Sequence, residues 1–283
     1  MKGLYHATLI GIFSTLLLCC QSQEGSATES IVTLSGKQMV AMGNSITAPQ
    51  NSWAWVTAQY FDMELTNLAV SGAQWTERPQ TTIDTNPKPV YDYNINNVIS
   101  NQVFRFLQMI VPEGEVIPET DGKTFHNGTP SPLTGLRPAD SSFDPFIIII
   151  SCGTNDSNER ELGDISELDK PYQEANRETL YGAIHWAVSV IRKYCPDTQI
   201  VLLTPIQRSP CPPRLPQFVE AIQLAGEKLG CPTINMYDES GITEEEEAQG
   251  HKYLYDGLHP TAEGSQLLGN TVIRHLETLY NVK

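Results

Sequence analysis

Pro145-Phe146-Ile147-Ile148-Ile149-Ile150-Ser151 is the most apolar stretch beyond the N-terminal segment, and Cys152-Gly153-Thr154-Asn155-Asp156 follows it at once. A strand whose side chains are apolar on both sides of the pleat has no face for water, so it must be covered above and below. Strands of that kind belong in parallel sheets sandwiched between helices. The abrupt change to Gly, Thr, Asn and Asp marks a loop at the strand's carboxyl end, where sheets of this type place their sites.

Outward from that strand, short apolar runs alternate with amphipathic segments. Residues 37–42 read as a strand, 52–61 as a helix, and 64–70 as a second strand. Val98, Val103, Phe106, Leu107 and Ile110 recur at helical spacing within 95–110. Residues 171–194 read as a long helix, 199–204 as a strand, 216–229 as a helix and 233–237 as a fifth strand, and Pro260 opens the last helix. The expectation is an α/β protein with a central parallel sheet of about five strands. Residues 111–144 are rich in Pro, Gly, Thr and Ser, and a loop that long is either a functional lid or rim, or a surface insertion. Both readings stay open.

The chain has 283 residues, enough for one such domain. Lys2 and His6 lead into an apolar stretch over residues 7–18, which is too short and interrupted to span a bilayer and fits an export signal. Leu17-Leu18-Cys19-Cys20 resembles a bacterial lipoprotein signal, with Cys20 as the acylated residue; a plain secretory signal is the alternative. The expected division is a signal peptide over 1–19, a polar tether over 20–35 and one domain over 36–283, lipid-anchored in the cell envelope or else secreted or periplasmic. Membrane contact would then be through the lipid alone. With 33 acidic residues against 18 Lys plus Arg, the net charge of −15 repels phosphate backbones and speaks against a nucleic-acid partner. Cys152, Cys195, Cys211 and Cys231 show no zinc-ligand spacing. Cys195 and Cys231 read as buried thiols, although an oxidising compartment would let them pair. Oligomeric state is left open.

Four polar blocks fall at the predicted strand ends or beside the last helix. Gly43-Asn44-Ser45-Ile46-Thr47 puts a serine at a strand-to-helix turn, and Asn67-Leu68-Ala69-Val70-Ser71-Gly72 puts a glycine where backbone can approach a ligand. In Gly153-Thr154-Asn155-Asp156 the Asn155 amide can donate to an oxyanion, while Asp156 is read as capping the next segment. Asp256-Gly257-Leu258-His259-Pro260 lets one loop bring a carboxylate to the imidazole nitrogen that faces away from a nucleophile. Each block alone is commonplace; all four in this order are specific.

Together they resemble the SGNH hydrolases, also called the GDSL family, over nearly the whole domain. The resemblance implies a flavodoxin-like three-layer α/β/α sandwich that needs neither a metal nor an organic cofactor. It implies Ser45 as nucleophile, His259 as base and Asp256 as its orienting carboxylate, with oxyanion donors from the Ser45 and Gly72 amides and the Asn155 side chain. One departure stands out: Asn44 replaces the family's usual aspartate, keeping shape and hydrogen-bonding reach without the charge. The α/β-hydrolase elbow fits poorly, since G-x-S-x-G needs glycine where Thr47 stands.

The expected activity is hydrolysis of an O-acyl ester, foremost an O-acetyl group on a carbohydrate, through an acyl-enzyme. Trp75, Gln207 with Arg208, and His251 with Tyr255 are candidates for a polar, aromatic-walled pocket, Trp75 having a core or rim reading as its rival. A lysophospholipase or short-chain lipase, and a non-catalytic glycan-binding surface lipoprotein, are the alternatives.

Overall fold

A computed structural model describes residues 32–77, 98–120, 124–126, 129–130, 133–134 and 142–282; the expected signal peptide and most of the expected tether lie outside them. Five strands make one sheet: β1 (Gln38–Gly43), β2 (Glu64–Asn67), β3 (Ile147–Ser151), β4 (Gln199–Leu203) and β5 (Thr233–Ile234). Their order is β2-β1-β3-β4-β5, and every pairing is parallel. This is the flavodoxin-like order, in which the chain reverses direction of growth between β1 and β3 and opens a crevice beyond their carboxyl ends.

The apolar run explains why β3 lies in the middle. It pairs with β1 on one edge and β4 on the other, and Ile147, Ile148, Ile149 and Ile150 are all fully buried. Alternate residues serve opposite faces. Ile148 and Ile150 join the core formed with α2 (Ile99–Ile110), α3 (Leu180–Tyr194) and α4 (Leu215–Leu229). Ile147 and Ile149 join the core formed with α1 (Trp53–Phe61) and α7 (Ala262–Tyr280). The result is helices on both sides of a sheet.

Several boundaries differ from the sequence expectation, each for a local reason. The helix expected over 171–194 begins only at Leu180; before it run 3-10 turns at Ile165–Asp169 and Tyr172–Glu174. The chain doubles back so closely that a Cβ on Gly182 would lie 2.1 Å from the Asn176 carbonyl oxygen, and the Asn176 side chain accepts the Glu178 N–H at 3.1 Å instead of letting a helix continue. The strand expected over 233–237 ends at Ile234, because Asn235 caps a short helix, α5 (Met236–Glu239), by accepting the Asp238 N–H. A further helix, α6 (Glu244–Gly250), is capped by Thr243 and was not expected. Pro260 does not open the last helix: Thr261 caps it, accepting the Gly264 N–H at 3.1 Å.

The second strand stops at Asn67, whose side chain accepts the Ala69 N–H, yet Leu68 and Val70 still donate to Ala41 and Gly43 across the edge. The 111–144 stretch carries short antiparallel ribbons, Val116–Ile117 with Leu133–Thr134 and Thr124–His126 with Thr129–Pro130. Buried Glu119 ties it to α3 by accepting bonds from Lys193 and from the Tyr194 hydroxyl at 2.5 Å. Burial pushes the Glu119 carboxyl up, and the Lys193 and Tyr194 bonds outweigh that and hold it below its ordinary range. Cys195 and Cys231 are both buried as thiols. No helix among the described residues is long and apolar enough to cross a membrane.

Candidate active site

Gly43 closes β1 where no larger residue fits: a Cβ there would meet the Ser151 carbonyl oxygen at 2.3 Å and Thr47 Oγ1 at 2.8 Å. The fully buried Gln102 side chain, reaching over from α2, accepts the Gly43 N–H and donates to the Gly43 carbonyl, each at 2.8 Å. Beyond Gly43 the chain turns. The Asn44 carbonyl accepts the Thr47 and Ala48 amides, and Asn44 Oδ1 accepts the Ile46 N–H at 3.0 Å. At 2% exposure Asn44 is a turn-forming residue, and its amide oxygen supplies the acceptor a carboxylate would. Ser45 sits at the tip, half-buried.

Because Val70 donates to the Gly43 carbonyl at 3.0 Å, the turn after β2 runs beside the Ser45 turn. Gly72 has φ +80 and lies exposed. The loop after β3 then locks onto this turn. Asn155 Nδ2 donates to the Ala73 carbonyl at 2.8 Å, and Gln74 Nε2 donates to the Asn155 carbonyl at 3.2 Å. Asp156 is not a cap for its own segment. Fully buried, it reaches across to accept the Trp75 and Thr76 amides, both at 3.0 Å, and the Thr76 hydroxyl at 2.9 Å. Burial pushes the Asp156 carboxyl above its ordinary range, with the Thr76 and Trp75 bonds pulling against it.

The last block completes the assembly. Asp256 Oδ1 accepts the backbone amides of His259 at 2.7 Å and Leu258 at 3.0 Å, while Oδ2 faces His259 Nδ1 at 2.7 Å. Burial pushes the Asp256 carboxyl up, but the His259 and Leu258 bonds overcome it and bring it down to about 2. With Nδ1–H donating to Asp256, His259 Nε2 is free to accept the Ser45 hydroxyl, whose Oγ lies 2.9 Å away. Residues 214 positions apart in the chain thus share one proton path. Tyr255 is 64% exposed and stacks on the His259 ring, with centroids 5.8 Å apart and planes at 21°. Such an arrangement can lift a proton from a hydroxyl and stabilise the imidazolium that results.

Four polar blocks thus meet beyond the strands of a five-stranded parallel sheet, and residues 122–267 match the model of the GDSL-like lipase/acylhydrolase family, just over half of the chain. The chain belongs to the GDSL-like lipase/acylhydrolase family. As a member it is a carboxylic ester hydrolase. The matched segment contains Asn155, Asp256 and His259 and begins after Ser45 and Gly72. Among solved structures, a Lactobacillus plantarum protein superposes with a TM-score of 0.58 at 19% identity, covering 86% of this chain and 98% of its own. A candidate GDSL-like lipase from Parabacteroides merdae gives 0.50 at 13% identity, covering 89% and 99%. A carbohydrate esterase family 2 enzyme plus carbohydrate binding domain from Corynascus thermopiles gives 0.51 at 17% identity, covering 87% and 67%. At these identities the likeness is one of fold. No curated protein matched the chain.

Two of the residues proposed from sequence as substrate contacts are placed elsewhere. Trp75 is 1% exposed and packs in the core with α2 and α3, so its indole offers no face to a ligand. Gln207 spends both ends of its amide as a brace, donating to the Tyr237 carbonyl and accepting the Glu244 N–H, each at 3.0 Å. His251 closes α6 with φ +51 and lies against Gly257. Sequence reading missed Gln102 and the cross-loop role of Asp156. The first had only a weak signal: Ser100-Asn101-Gln102 is a polar triplet in the first turn of a helix that also carries Arg105 and Gln108, and all three of its residues are buried.

Proposed function

We propose that this GDSL-like hydrolase cleaves O-acyl esters through Ser45, His259 and Asp256, and that its natural ester is an O-acetyl group on a carbohydrate. The observation that carries the reading is the 2.9 Å contact between Ser45 Oγ and His259 Nε2, backed by Asp256 on the opposite nitrogen. Ser45 Oγ bonds to the ester carbonyl carbon as its proton passes to His259, and the imidazolium then protonates the departing alkoxide. Water, deprotonated by His259, attacks the acyl-enzyme, releases the acid and returns the proton to Ser45. The oxyanion of each tetrahedral intermediate is assigned to the Ser45 and Gly72 amides and the second Nδ2–H of Asn155, whose first is held by the Ala73 carbonyl.

Support for a sugar comes from the site's mouth, where exposed Tyr255 offers an aromatic wall and the adjoining cleft mixes polar side chains with prolines. The fold is shared with a carbohydrate esterase family 2 enzyme. We also propose a lipid tether at Cys20, supported by the Leu17-Leu18-Cys19-Cys20 sequence.

The test is release of p-nitrophenol from p-nitrophenyl acetate by the wild-type protein and Ser45→Ala. Loss of the nucleophile is expected to lower kcat by on the order of a thousandfold or more. Equal rates would remove the assignment of Ser45. Acetate release from acetylated sugars, set against fatty-acid release from lysophospholipids, then separates the carbohydrate reading from a lipase.

A further inference from the structure

A cleft of about 710 Å³ adjoins the Ser45–His259–Asp256 site, lined by Asn158, Arg208, Cys211, Arg214, Asp256 and Leu258 among others. That volume lies within the ~300–1,000 Å³ of small-molecule sites. Its cationic side chains are differently placed. Arg214 donates to the Arg160 carbonyl at 2.7 Å and has Glu161 3.9 Å away. Arg208 donates from Nη2 to the neutral Asn158 Oδ1 at 2.8 Å, and its Nε is buried without a hydrogen-bond partner. Among the described residues no carboxylate pairs with Arg208. Asp256, which also lines the cleft, has its oxygens committed to His259 and Leu258.

An uncompensated, partly desolvated guanidinium is anomalous in a protein of net charge −15, where acids are plentiful. Burial accordingly lowers the Arg208 pKa. The loop is also held in place. Ser209 donates to the Gly257 carbonyl at 2.8 Å, inside the Asp256–His259 turn, and Gln207 braces the other side. Arg208 is therefore positioned relative to the nucleophile's base by a direct backbone bond one residue away.

We propose that Arg208 recognises a carboxylate on the ester substrate, so that the natural substrate is an O-acylated acidic sugar, a uronic-acid type, rather than a neutral one. The inference rests on the esterase reading and names its substrate class. Arginine's planar fork matches a carboxylate with two parallel bonds. One uncompensated guanidinium in a cleft that also carries the Asp256 carboxylate suits a single negative charge better than a phosphate monoester.

The test compares kcat/KM for acetate release from an O-acetylated methyl glucuronoside and from the corresponding acetylated methyl glucoside. Wild type is expected to favour the acid by about tenfold or more, and Arg208→Gln to reduce the acid-to-neutral ratio by about tenfold to a hundredfold, chiefly through KM. Arg208→Lys restores part of the ratio, keeping charge but losing the fork. Equal rates on the two sugars, or a proportional fall on both in Arg208→Gln, overturns the proposal, as does an Arg208-dependent preference for a lysophospholipid. Binding of unacetylated methyl glucuronoside to Ser45→Ala, followed by calorimetry against methyl glucoside, reads recognition without turnover. Preferential binding there supports the carboxylate site even if Ser45 proves not to be the nucleophile; no preference sinks it while leaving the esterase reading to its own test.

Discussion

At the Ser45 turn the side chain of Asn44 shows what its amide is for. Its oxygen accepts the Ile46 N–H, a bond that needs an acceptor and not a charge, so the exchange of the family's usual aspartate for asparagine leaves the turn's geometry intact. Asn155 has two tasks on one nitrogen, a bond to the Ala73 carbonyl and, in the proposed mechanism, a bond to the oxyanion. Asn155→Ala is therefore expected to lower kcat on p-nitrophenyl acetate by roughly a hundred- to thousandfold with a much smaller change in KM, measured by initial rates. A variant that raised KM and spared kcat would show that Asn155 serves ground-state binding instead. The four blocks were legible because each is a short string fixed by local geometry. Gln102, Asp156 and the brace at Gln207 were not, because their partners lie 59, 80 or 81, and 30 or 37 positions away in the chain.

Among the elements, α3 and the 3-10 turn at Pro118–Thr120 are joined through Glu119, whose carboxylate is 4% exposed while its partner Lys193 is 44% exposed. Glu119→Gln is expected to cost about 1–2 kcal/mol at neutral pH, the lower part of the range for charged hydrogen bonds because Lys193 is open to solvent screening. The sign of the pH dependence follows from the lowered carboxyl pKa. The folded state holds the ionised form more tightly than the unfolded chain does, so the stabilisation is complete above about 4.5 and is lost as pH falls through the folded value. Thermal melts of wild type and Glu119→Gln should thus differ at pH 7 and converge once the pH has fallen below the lowered folded-state value of the carboxyl. A gap that persisted at low pH would assign the effect to packing. The strands were readable because an apolar run between turn residues has one physical use; helix starts were less so. Apolar spacing continues upstream of Leu180 and downstream of Ile234, but side chains of Asn176 and Asn235 capture backbone amides and settle the boundary there.

For the molecule as a whole, the site exists only because the two ends of the domain pack together. The Ser45 turn feeds α1 and the Asp256–His259 loop feeds α7, and both helices lie on the same face of the sheet. At their crossing Gly269 comes so near that a Cβ would sit 2.4 Å from Val56 Cγ1. Gly269→Val is expected to cost about 1–3 kcal/mol by overpacking and to lower kcat by up to about a hundredfold with little change in KM, as the helices spread and carry Ser45 and His259 apart. Melting temperature and p-nitrophenyl acetate kinetics measured on the same preparation check both parts; a destabilised variant of unchanged kcat would uncouple the crossing from the catalytic pair. The parallel sheet followed from the alternation of strands and helices and its flavodoxin-like layering from the family resemblance, whereas this coupling between helices is a property of the folded ensemble alone.

The separation of Ser45 and His259 along the chain also imposes an order in time. A polypeptide emerging from the ribosome carries the Ser45 hydroxyl 214 residues ahead of the His259 imidazole, so in the proposed mechanism the intermediate lengths hold a nucleophile without its base. In that mechanism hydrolysis waits until α7 has docked, and a product that stops short of His259 has no base with which to turn Ser45 on the acylated molecules around it.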